Sequence, residues 1–112
     1  EGLSTCDYAK ILEVETILKN QFKDKHTLAS IAAQVGLNDF KLKKQFKMVF
    51  NTTVFHYLTA LRMEYAKQLI LEKEYSVALV SEELGYKNQQ HFTVAFKKIF
   101  GYLPSKLKKE HY

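Results

Sequence analysis

The chain carries one pattern twice. Residues 31–51 read as a short helix, then Gly36, then Asn38, then Leu42, Phe46, Val49 and Phe50 at helical spacing. Residues 80–101 read as a short helix, then Gly85, Asn88, Phe92, Phe96, Ile99, Phe100 and Gly101. The two turn glycines are 49 residues apart and the apolar positions that follow are 50 apart, so the second turn is one residue longer. A duplicated two-helix unit is the simplest account. Strand-type alternation is absent throughout, so the expected fold class is all-α.

The rest of the chain fills in around the repeat. Tyr8, Ile11, Leu12, Leu18 and Phe22 form the stripe of a first helix. Leu28, Ile31, Ala32 and Val35 form a second, opened by Thr27 as N-cap. Asn38 caps a third. A long helix is expected over about 53–73, with Phe55, Leu58, Leu61, Arg62, Tyr65, Ala66, Leu69 and Ile70 on its buried side. Ser76 caps a fifth with Val77, Leu79, Val80 and Leu84, and Asn88 caps a sixth. Gly101 ends the sixth, and Pro104 suits the first turn of a last short one. The expected domain map is two helix-turn-helix units, at about 28–50 and about 77–100, joined by the long helix at about 53–73.

A 112-residue chain with 46% hydrophobic residues can bury a small core. Its net charge of +5 favours a polyanionic partner. Residues 1–24 sum to −2, whereas 38–51, with Lys41, Lys43, Lys44 and Lys47, sum to +3. Residues 97–112 sum to +4 through Lys97, Lys98, Lys106, Lys108 and Lys109. Two separated basic clusters point to two contact surfaces, against the plainer reading of two solvated helix faces. Cys6 is alone, so no internal disulfide forms. No apolar run approaches a membrane span and no signal peptide is visible.

A helix, a tight turn through Gly and a second steeply crossing helix make a helix-turn-helix. The crossing needs a small side chain four residues before the glycine, where Ala32 and Ser81 stand. The second helix of each unit would enter a major groove of DNA. With Leu42, Phe46 and Val49 inward, Phe40, Lys43, Lys44 and Lys47 face out. With Phe92, Phe96 and Ile99 inward, Gln90, Thr93, Val94 and Lys97 face out, with Gln89 close by. Lysine donates to guanine, glutamine pairs with adenine, and an apolar group meets a thymine methyl. Lys47 and Lys97 are placed for phosphate. The helix starts at Thr27, Asn38, Ser76 and Asn88 offer backbone N–H groups to phosphates. The long helix, ~30 Å at 1.5 Å per residue, would act as a spacer presenting the two heads to major grooves one turn apart.

These residues resemble the AraC/XylS family of transcription regulators. The likeness runs from about Tyr8 to Lys109. It is most specific at Val80, Gly85, Tyr86, His91, Phe92, Phe96, Lys97, Lys98, Phe100, Gly101, Pro104 and Ser105, and it continues through Leu42, Phe46, Lys47, Tyr57, Leu58, Arg62, Ala66, Leu69 and Ile70. It implies a seven-helix domain with base-reading positions at Phe40, Lys43, Lys44, Gln89, Gln90 and Val94. Two positions depart from the family pattern: Val94 stands where Arg is frequent, and Asn51 where Gly is frequent. The resemblance also implies double-stranded DNA and RNA polymerase as partners. It further implies an N-terminal sensor or receiver domain outside these residues, and work in the cytoplasm at the nucleoid. A start at Glu1 without Met fits a piece of something longer.

Other chemistries find little support. His26, His56, His91 and His111 have no helical metal spacing, and His91 is read as structural or as a phosphate contact. Glu82 and Glu83 have no acid–base partner. No catalytic residues, metal or cofactor are expected. The alternative function is a helical protein-interaction module without DNA binding. A basic membrane-surface protein would need apolar outward faces, and those here are polar.

Overall fold

A computed structural model describes residues 3–109, with side chains through Leu107. Seven α-helices and no strand are present among the described residues: α1 Thr5–Asn20, α2 Leu28–Val35, α3 Asp39–Phe50, α4 Val54–Glu72, α5 Val77–Glu83, α6 Gln89–Phe100 and α7 Ser105–Lys109. The chain divides into two compact units between Leu58 and Thr59.

In the first unit α1 packs on α2 and α3, and α2 on α3. Ile11, Val14, Leu18, Ile31, Leu42 and Phe46 are fully buried there, with Ala32, Val35, Val54 and Leu58 close to it. The stripe expected on α1 is corrected. Tyr8 is 47% and Leu12 is 38% exposed, while Val14 takes a place the stripe did not include. Ile11, Val14 and Leu18 follow the 3- and 4-residue steps of one face, and Leu12 lies one residue off it. Phe46 lies 4.6 Å from Phe50 and edge-on to Tyr57 at 5.6 Å.

The second unit has its own core of Met63, Ala66, Leu69, Ile70, Val80, Leu84, Phe92, Phe96 and Leu107. Phe96 lies 4.7 Å from Phe100 and edge-on to Tyr102 at 5.7 Å, so the ring pair of the first unit recurs fifty residues on. On α4 and α5 the expected burial is partly redistributed. Phe55 (41%) and Leu79 (39%) are exposed, and Met63 and Val54 are buried instead.

Local chemistry sets the helix ends. Thr27, Asn38, Ser76 and Asn88 each accept a hydrogen bond from the backbone N–H three residues on. Thr27 and Ser30 complete a reciprocal capping box. Gly36 turns the chain at φ 77° and Gly85 at φ 81°, conformations open to glycine without steric cost. After each turn the next N–H reaches back to the small residue: Leu37 to Ala32 at 3.0 Å and Tyr86 to Ser81 at 3.1 Å. Ala32 and Ser81 are both buried, as the close helix crossing requires. Asn51 takes the left-handed position after α3 at φ 58°, where short polar side chains are tolerated.

Candidate nucleic-acid interface

Helix α3 is amphipathic in the sense its sequence demands. Leu42 and Phe46 are sealed in the core, and Phe40, Lys43, Lys44 and Lys47 are exposed on the other side. Phe40 is 73% exposed, so its ring is not a core residue. The Lys44 ammonium sits 5.8 Å from the centre of that ring, one helical turn away. Together they give a face with one apolar plate and three cations.

Lys41 is drawn off this face. Its Nζ lies 3.5 Å from Asp7 Oδ2 on α1, and Gln45 Nε2 donates to the same oxygen at 3.0 Å. The Gln45 hydrogen bond, with help from Lys41 and Lys10 against some desolvation, holds the Asp7 carboxyl below its usual range. Lys10 Nζ donates to the carbonyl of Gly36 at 3.2 Å, and Tyr57 OH donates to Glu15. Thus α1 braces α3, the turn and the start of α4 by polar contacts. Residue-by-residue reading missed these contacts because each joins positions far apart in sequence.

Helix α6 buries Phe92 and Phe96 and exposes Gln89, Gln90, Val94, Lys97 and Lys98. Val94 is 66% exposed, and Thr93 is half-buried at the edge of the face. Gln89, Gln90, Thr93 and Val94 line one shallow, open depression. Thr93, Val94, Lys97 and Lys98 line a second with Leu103, which is 41% exposed. Leu103 follows the helix in a loop, so helical spacing could not have revealed it. Tyr86 packs edge-on against Phe92 at 5.7 Å, and burial raises its pKa against the opposing pull of Arg62.

The four capping residues are exposed, but their side-chain oxygens are engaged with their own helices. His91 is exposed, and its backbone N–H donates to Asn88 at 2.9 Å. The side chains of Lys108 and Lys109 and the residues Glu110 and His111 lie outside the described residues. Among the described residues no cluster of three His, Cys, Asp or Glu side chains could hold a metal, and no helix is long and apolar enough to cross a membrane.

A family model described as a helix-turn-helix domain matches residues 31–110. The chain belongs to the AraC/XylS family. It is 29% identical over 110 residues to the Msm operon regulatory protein of Streptococcus mutans, covering 98% of this chain and 40% of that protein. It is 32% identical over 102 residues to the transcriptional activator NphR of a Rhodococcus species, covering 90% of this chain and 30% of that one. Among solved structures, the C-terminal domain of AraT, a response regulator from Geobacillus stearothermophilus, superposes with a TM-score of 0.83 at 27% identity, covering 98% of this chain and 88% of that one. The chain thus spans less than half the length of these two curated relatives. It is an AraC/XylS-type DNA-binding domain of the transcription-regulator class, and the duplicated pattern with which its sequence begins to make sense is the family's pair of helix-turn-helix units.

Proposed function

We propose that this domain reads a specific duplex site with α3 and α6 as its two recognition helices, one in each of two successive major grooves. The observation that carries the reading is the same construction seen twice. A left-handed glycine turn leads into a helix that seals two residues in the core, Leu42 and Phe46 in one copy and Phe92 and Phe96 in the other, and that exposes polar or basic side chains on its opposite face. Phe40, Lys43 and Lys44 contact base edges in one groove, and Gln89, Gln90, Thr93 and Val94 do so in the other. Lys47 and Lys97, a turn further along each helix, hold phosphates. The N-termini of α2, α3 and α6, at Thr27, Asn38 and Asn88, lie against the sugar–phosphate backbone with their first N–H groups. Ser76 opens a helix of only seven residues, too short to offer a phosphate site at its N-terminus.

The greater length of the relatives and the C-terminal position of the similar domain in the response regulator AraT support a placement behind a sensor or receiver domain. RNA polymerase is the proposed transcriptional partner and the cytoplasm the proposed working compartment. The role is binding rather than catalysis.

Selection from random duplex DNA tests the reading. Two preferred blocks about 10 base pairs apart are expected, the repeat of B-DNA. Binding that weakens steeply with salt is expected on any duplex. Recovery of a single short block, or of no sequence preference, would overturn the two-headed reading. Absence of duplex affinity would favour a protein-interaction module instead.

A further inference from the structure

The two outward faces are chemically unlike. On α3, Phe40, Lys43, Lys44 and Lys47 are all exposed, with the Lys44 ammonium 5.8 Å from the centre of the Phe40 ring. On α6 the stretch from Gln89 to Val94 holds no Lys, Arg, Asp or Glu, and Val94, near the middle of the helix, is 66% exposed. An isopropyl group so open to water adds little to folding, and it has no donor or acceptor with which to read a purine edge. The apolar feature that a base edge shows in the major groove is the 5-methyl of thymine. Val94, Thr93, Gln89 and Gln90 line one concave surface, so an apolar contact and an amide lie side by side. Gln has the two-pronged geometry that matches N6 and N7 of adenine.

We infer that α6 selects A·T pairs, with Gln90 on an adenine and Val94, helped by the Thr93 methyl, on a thymine methyl. The lysine-bearing α3 prefers guanine. Adjacent A·T pairs then present adenine and thymine methyl groups to neighbouring side chains of one helix. The inference rests on α6 being a base-reading helix.

The test removes the methyl without touching the protein. After selection with the full chain, each thymine of the preferred site is replaced in turn by 2′-deoxyuridine, which keeps every hydrogen-bonding group. At one thymine or more the replacement should weaken wild-type binding about fourfold, the worth of one buried methyl group. The Val94→Ala variant should be insensitive to that same replacement, and because the side chain is exposed its thermal unfolding should match the wild type. Val94→Arg should shift the selected base in that block toward guanine. Sequence-selective binding with no methyl effect at any thymine, or with the same effect in Val94→Ala, would overturn the inference and leave the base-reading role of α6 standing. Loss of all sequence preference from the wild-type chain would overturn both.

Discussion

Gln45 and Asp7 meet across 38 positions of sequence, the amide Nε2 of one donating to Oδ2 of the other at 3.0 Å. The contact ties α3 to α1, and the same carboxylate takes Lys41 as an ion-pair partner, away from Lys43, Lys44 and Lys47. The other end of the Gln45 amide, Oε1, is buried without a partner, so the glutamine depends on Asp7 for its fixed position.

Asp7→Asn should therefore change the acid response. The folded carboxyl titrates below its ordinary value of 3.8. Its stabilising contribution is complete above that value and is lost as pH falls through the lowered folded one. Denaturant midpoints across the acid range should show wild type and variant converging as the pH drops. Parallel curves would exclude Asp7 as a source of acid sensitivity.

Tyr57 gives the opposite sign at the alkaline end. Burial, followed by the hydrogen bond to Glu15 and its charge, pushes the phenol from 10.0 up to about 12. The protonated phenol is favoured on folding, so the contribution is present below pH 10.0 and disappears as pH rises toward about 12. Tyr57→Phe should cost about 1 kcal/mol at neutral pH. The gap between the two proteins should close in alkali, as urea unfolding at a series of pH values would show.

Ala32→Leu should destabilise by about 1–3 kcal/mol through overpacking where α2 crosses α3. Thermal unfolding reads the loss. Wild-type stability in this variant would mean that the buried position tolerates a larger group and that the small residue is not what the turn requires.

Gln90→Ala should weaken the preferred site by about 1–3 kcal/mol while leaving random duplex almost unaffected. Competition binding with both DNAs separates the outcomes. An equal loss on both would assign Gln90 to the backbone rather than to a base.

Lys47→Ala and Lys97→Ala should each lower affinity on all sequences. Each should also reduce the slope of log affinity against log salt by about one. A titration over several salt concentrations measures it, and an unchanged slope would remove that lysine from the phosphate contacts.

Helices, caps and turns were legible because each is written in a few adjacent residues. Asn38, Asn88, Gly36 and Gly85 sit at the ends that their chemistry favours, and the seven helices follow from them. The face of α3 was equally readable, since Leu42 and Phe46 fix which side turns inward. Legibility failed where burial depends on a distant neighbour. Tyr8 and Leu12 have the hydrophobicity of core residues, but α2 and α3 cover the side of α1 that holds Val14. Lys41 reads as one more cation in a basic run until Asp7 is folded against it. Leu103 acquires meaning only beside Val94 and Lys97.

The exposed side of α3 carries Phe40, Lys43, Lys44 and Lys47, whereas the first turns of α6 expose Gln89, Gln90 and Val94 ahead of Lys97 and Lys98, so the two helices, if they read DNA as proposed, would favour unlike bases. A symmetric dimer reads a palindrome identically when it is turned end for end. A single chain with unlike heads loses its match on being reversed, since each helix would then confront bases chosen for the other. On the proposed two-headed reading its operator would be an arrow rather than a palindrome.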